Sequence, residues 1–198
     1  MFENLFKDQG FTGGPGNLAN FTDDASCTVV RCRSAESDFM PKGRWVIEHL
    51  RAGKVIGTYD FPNDITNEGK NHIFGVEFYD VTQIASSSWF AGLISNSGYS
   101  ALAAADTMAS HSGWTELTGY TQSTRPAWGQ GAPASQSITN ASPITFDINA
   151  TGTVKGVFIT SNSTKGGTTG KLWATALFAA DVPVSNGDQL KATYTVSA

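Results

Sequence analysis

Charge is what this sequence most conspicuously has little of. Asp, Glu, Lys and Arg make up 15% of the 198 residues, against ~25% in an average globular chain. The formal net charge is -4 and the cations form no run. Phosphate binding needs clustered Lys and Arg, so no nucleic-acid partner is expected. Cysteine is nearly absent too, with only Cys27 and Cys32. On a strand these two fall on opposite faces, ~16 Å apart at ~3.3 Å per residue, which is beyond the ~7 Å reach of a disulfide. With no histidine pattern nearby they make no metal site, and free, partly buried thiols are expected. The opening residues MFENLFKDQGFTGG hold no basic stretch followed by an apolar run, so no secretory signal is expected. No apolar run approaches the ~18 residues of a membrane span, so no membrane partner is expected either.

Catalytic motifs are missing as well. The stretch STKGGTTGKL imitates a phosphate loop, but Leu172 stands where Ser or Thr must bind magnesium and both flanks read as strands. His49, His72 and His111 are far apart in sequence, and no G-x-S-x-G elbow occurs. Asp60, Asp64 and Glu68 form the densest acidic spacing, which reads as a solvated turn rather than a calcium loop. Asp106, His111 and Glu116 are the one near-sequence set able to converge; His111 is expected to satisfy carbonyls at a helix end. Four N-x-[ST] triplets, at Asn20, Asn140, Asn149 and Asn162, reflect a composition rich in Asn, Ser and Thr. The expectation is no catalysis, no metal and no cofactor.

The missing charge is replaced by Gly, Ser, Thr, Asn and Ala. That profile suits β-structure with many turns, and equally a surface covered by neighbours, where charge would be costly to desolvate. Residues 1–26 read as an extended N-terminal arm: Phe2, Leu5, Phe6 and Phe11 are apolar, and four glycines and a proline interrupt regular structure. Residues 27–198 read as a β-rich domain, or as two β subdomains joined by residues 86–131. Residues 27–33 (CTVVRCR) read as a strand. Residues 44–50 and 54–61 form a hairpin around Arg51, Ala52 and Gly53. Asn67, Glu68 and Gly69 read as a turn, and residues 71–81 as a strand in which Phe74, Val76 and Phe78 alternate. Strands also follow at 88–95, 144–148, 153–161, 172–179 (ended by Pro183) and 190–196. The helix candidate lies within residues 100–112, where Ala101, Ala104, Ala105 and Met108 keep helical spacing, with Ser100 or Asp106 as cap. About nine strands separated by turns make this an all-β chain, an antiparallel sandwich or jelly roll.

Three of the five tryptophans, Trp89, Trp114 and Trp128, fall in residues 86–131. Such a weakly charged aromatic segment should be a packed connection or a contact surface for another chain. Phe2, Leu5, Phe6, Phe11 and Trp128 are the expected assembly contacts. The phrases WFAGLISNSGYSALAAADTMASHSGWTEL, GVFITSNSTKGGTTGKLWATALF and NGDQLKATYTVS resemble those of small structural proteins of tailed-bacteriophage virions. The resemblance implies a non-enzymatic building block of the head, neck or tail that lies in the virion and contacts other virion proteins or copies of itself. Capsid cement or decoration is the first expectation, a neck or tail-fibre adaptor the second. From a different class, a carbohydrate-binding β-sandwich module would use exposed tryptophans to stack on sugars.

Overall fold

The β1–β2 hairpin shows how the alternation of the sequence becomes structure. In the computed structural model, which describes residues 41–198, β1 (Lys42–Arg51) turns Trp45, Ile47 and His49 inward and leaves Arg44, Val46 and Glu48 outward. β2 (Lys54–Ile65) returns antiparallel to it. The loop is shorter than the sequence suggested. Only Ala52 and Gly53 form it, both at positive φ (50° and 74°), as a turn matched to strand twist requires. Arg51 stays in the strand because its guanidinium is held by Asp188 across the sheet.

The remaining strands are β3 (Phe90–Ser95), β4 (Glu116–Leu117), β5 (Ser137–Thr139), β6 (Ile144–Asp147), β7 (Gly152–Thr160), β8 (Leu172–Val184) and β9 (Asp188–Ser197). All pairings between them are antiparallel. They form one nine-stranded sheet in the order β4-β3-β7-β8-β2-β1-β9-β5, with β6 also on β9, curled into a sandwich-like half-barrel. The fold is all-β, as the period-2 patterning indicates.

β2 is the corner of this sheet. It pairs with β1 along most of its length, then with β8 through Asp64↔Thr175 and Ile65↔Ala174 alone. A strand that changes partner folds one half of the sheet over the other. The inward faces of both halves then share one core, including Trp45, Ile47 and Phe61 from one side and Leu93, Val157, Ile159 and Phe178 from the other. Residues 86–131 therefore supply two strands and packing to a single domain, rather than joining two. At the centre the Tyr194 ring stacks on Trp45 (4.5 Å) and meets the edge of Trp128 (4.9 Å). Its hydroxyl accepts from Trp173 Nε1 (3.0 Å) and Asn63 Nδ2 (3.2 Å). Burial pushes the phenol's pKa well above the ordinary tyrosine value.

β7 and β3 are buried on both faces. Ile94, Phe158 and Leu172 point away from the main core into a second cluster with Met108 and Trp114. The cover is the long connection between β3 and β4, folded back over the outside of the sheet. Gly92 lets the two strands stay flat: a Cβ there would lie 2.2 Å from the Phe158 ring, itself pinned by Trp114 at 5.1 Å.

The single described α-helix is not where the alanine run placed it. Helix α1 spans Asn67–Phe78, the stretch read as a turn and a strand, while residues 100–112 form turns. Thr66 decides the first. Its hydroxyl accepts from Gly69 N (3.0 Å), and its own amide donates to Trp173 O (3.1 Å), fixing the cap to β8. Glu68 adds a favourable charge in the first turn. Phe74 and Phe78 satisfy a strand's alternation and equally an i, i+4 helical pair, so the pattern was ambiguous. Asp106 decides the second. Its carboxylate takes Ala103 N (2.9 Å) and Trp114 Nε1 (3.0 Å), closing a turn in competition with a helix.

Two further readings are corrected. Pro183 does not end β8 but lies inside it, opposite Thr153, beyond the register shift between Val154 and Gly156. Among the described residues no strand pairs with the other side of β8 there, so the missing N–H breaks no ladder. Asp60 and Asp64 are in β2, not in a turn, and Asp60 pairs with Arg44 at 2.6 Å. The outer side of β2 before Asp64 is likewise unpaired among the described residues, and it carries Pro62 and the register shift opposite His49 and Leu50. Cys27, Cys32, residues 27–33, Phe2, Leu5, Phe6 and Phe11 lie outside the described residues.

If Asp106 closes a turn, Asp106→Ala lowers the unfolding free energy in urea by ~1–3 kcal/mol and leaves the helical circular-dichroism signal unchanged. Trp114→Ala, which empties the second cluster, lowers it by ~3–5 kcal/mol.

Candidate functional site

Chemistry needs an ionisable group with capacity to spare, so the buried ionic clusters are the first places to look. One joins β1 to β9. Asp188 accepts from Arg51 Nε and Nη2 (both 2.7 Å) and from Ser185 N (2.8 Å), and lies 2.8 Å from His49 Nε2. The Arg51 hydrogen bonds, outweighing burial, hold its carboxyl well below the usual carboxylate range. The Ser185 hydroxyl approaches the Arg51 guanidinium (3.5 Å). The His–Asp pair is thus a latch between strands, its carboxylate saturated.

The second cluster surrounds Glu116 and Arg125, whose side chains are 5% and 1% exposed. Arg125 donates to Glu116 through Nε (3.1 Å) and Nη2 (2.8 Å), to Asn162 O through Nη1 (2.9 Å) and to Gly167 O through Nη2 (2.8 Å). Glu116 also accepts from Tyr120 Oη (3.2 Å) and Gly166 N (2.7 Å). Burial, reinforced by the Glu116 charge, pushes the Tyr120 phenol far up. The pair clamps the chain after β4 to the glycine-rich 162–170 loop. This answers the question raised by Asp106, His111 and Glu116. His111 and Glu116 do line one cavity, of 290 Å³, but they are separately engaged. His111 stacks on the Trp114 ring at 4.1 Å, with Nδ1 3.1 Å from Trp114 O. Asp106 holds the Trp114 indole. His111 does meet a carbonyl, in a turn rather than at a helix end.

The third place is the side of α1. Glu68, His72 and Lys171 line a 450 Å³ cleft with Asn71, Val81 and Thr107. Glu68 accepts from Leu172 N (2.8 Å) and Lys171 Nζ (3.2 Å). Burial and the neighbouring Lys171 lower the His72 pKa, with Glu68 opposing. Beside this cleft, Phe74, Phe78, Tyr79 and Val81 are exposed. Alternation had assigned Phe74 and Phe78 to a strand face, so this patch was missed. Thr66 with Glu68 behind it was the available helix-start signal.

Trp128, expected as an assembly contact, is buried in the main core against Tyr194. Trp45 and Trp114 are buried too, and Trp89 and Trp173 half-buried. No family model matches the chain, and neither does the sequence of any curated protein.

Two outcomes follow from the ionic clusters. Arg125→Ala leaves Glu116 buried without its cation and lowers stability by ~3–5 kcal/mol in urea unfolding. For Asp188, a folded pKa below the unfolded one near ~3.9 means its pairing adds stability above that value and loses it as the pH falls. The difference in unfolding free energy between wild type and Asp188→Asn is therefore full at neutral pH and shrinks progressively below about pH 4.

Proposed function

We propose that the chain is a non-enzymatic structural protein of a tailed-bacteriophage virion, acting as capsid cement or decoration through contacts with neighbouring virion subunits. The observation that carries the reading is a division of labour among its side chains. The buried carboxylates Asp188 and Glu116, with His49, Arg51 and Arg125, latch strands and loops together, while three aromatic rings, Phe74, Phe78 and Tyr79, face outward on and beside α1. The α1 cleft does gather Glu68, His72 and Lys171, but Glu68 is engaged by Leu172 N and Lys171 Nζ; a contact protein needs a rigid body and an apolar surface to be covered. The phrases shared in style with virion structural proteins point the same way. No helix among the described residues is long and apolar enough to cross a membrane.

A sugar-binding module draws less support, because the tryptophans it would stack on are buried or half-buried. The apolar arm residues Phe2, Leu5, Phe6 and Phe11 complete the proposed contact set, together with a homo-oligomeric habit.

Purified particles, examined by quantitative mass spectrometry and cryo-electron microscopy, test the reading. The expected result is a fixed copy number with density on the shell. Density at the neck or tail would make the chain an adaptor, and absence from particles would overturn a virion role. Deleting residues 1–16 is expected to weaken particle binding while the β-core stays folded by circular dichroism; binding as tight as that of the full chain would remove the arm from the contact set.

A further inference from the structure

Helix α1 buries only Gly69. A Cβ at that position would meet Trp173 O at 2.5 Å, so the helix is seated closely on β8 at its first turn. Toward its other end Phe74 is 58% exposed, Phe78 78%, Tyr79 83% and Val81 42%. The Phe74 and Phe78 rings lie 6.4 Å apart and form a ridge. An amphipathic helix normally turns such a ridge to the core; here it faces out.

The polar residues beside the ridge say what fits it. At 3.6 residues per turn, Lys70 and Glu77 lie two turns apart and nearly in line, along one flank of Phe74. Asn71 and Phe78 lie on the other flank. Lys70 and Glu77 are both exposed, and neither joins an ion pair within the described residues. Now place a second α1 antiparallel to the first, with a two-fold axis passing beside Phe74. The axis inverts position along the helix and keeps each flank on its own side. Lys70 then sits level with Glu77 of the other copy to within ~1.5 Å, the rise of one residue. The same operation brings Glu77 to the second Lys70, Phe74 to Phe74, and Phe78 alongside Asn71. Two ion pairs thus flank an aromatic centre, and one surface supplies both halves, as a two-fold interface demands.

We propose that α1 is a self-association surface and that its occupant is α1 of a second copy of this chain, packed antiparallel about Phe74. The pairing does not depend on the virion reading, since it concerns the free protein. At ~200 Å² per ring, the exposed parts of Phe74 and Phe78 offer roughly 270 Å² on each copy. The two copies together bring roughly 550 Å² of ring surface to the contact, well below the ~1,200 Å² of a standard interface, so the dimer is weak, reversible and concentration-dependent.

Sedimentation velocity of the full chain across the micromolar range tests this. Wild type is expected to pass from monomer to dimer as concentration rises. Phe74→Ser with Phe78→Ser is expected to raise the dissociation constant at least about tenfold, with an unchanged circular-dichroism spectrum because both side chains are exposed. Lys70→Glu and Glu77→Lys should each weaken the dimer, and the double charge reversal should restore it, because only an antiparallel two-fold sets these two residues against each other. A chain that stays monomeric throughout the range overturns the proposal, as does a dimer indifferent to the phenylalanine changes. Single charge changes that weaken the dimer without rescue by the double reversal also overturn it. An association lost on deleting residues 1–16 but unaffected by the charge variants would assign the contact to the arm instead.

Discussion

The two cross-strand pairs by which Asp64 and Ile65 join Thr175 and Ala174 hold the architecture together. Without them the β1–β2–β9 half and the β3–β7–β8 half would be separate sheets, each with an apolar face in water. Two short pairings cannot supply that stability alone. They set the geometry, and the aromatic contacts across the fold hold it: Tyr59 and Phe61 against Phe178 beside the corner, and Trp45, Trp128 and Trp173 around Tyr194. Thr66, one residue past the corner, bonds to β8 and starts α1 in the same stroke. Strand exchange, core closure and helix placement are thus set within three consecutive residues.

Where a segment's partners lie on neighbouring strands, the sequence was readable. Ile144, Phe146 and Ile148, or Leu190, Ala192 and Tyr194, alternate because one sheet face is buried, and turn residues such as Gly187 mark where chains reverse. The second cluster was half readable. Residues 86–131 are poor in charge because much of the segment covers the sheet, and the packed-connection reading anticipated that. Which strands it covers depends on Trp114 meeting Phe158, forty-four positions away in the chain.

The ionic clusters were less legible, for a related reason. Asp188 and His49 are 139 residues apart, and nothing local links them. Glu116 and Arg125 left a faint trace: a lone acid and a lone base in a stretch with little other charge. A buried charge is tolerated only when paired, so isolated opposite charges in an apolar segment deserve to be read as a pair. The helix was misplaced because propensity favoured the alanine run, whereas capping and tertiary contacts at Thr66 and Asp106 favoured the other assignment.

The outer rim of β2, unpaired among the described residues before Asp64, has a further meaning wherever the chain is concentrated. A strand with one open side is a template for another strand, and pairing of that kind has no natural end: each added chain exposes a new open side. Here Pro62 removes a donor, Lys54 places a charge beside the tip, and the register shift at His49 and Leu50 twists the ladder. The chains at the far ends of the sheet, β4 and β5, are only two and three residues long. Crowded molecules of this kind are discouraged from zipping into fibrils and remain separate folded units.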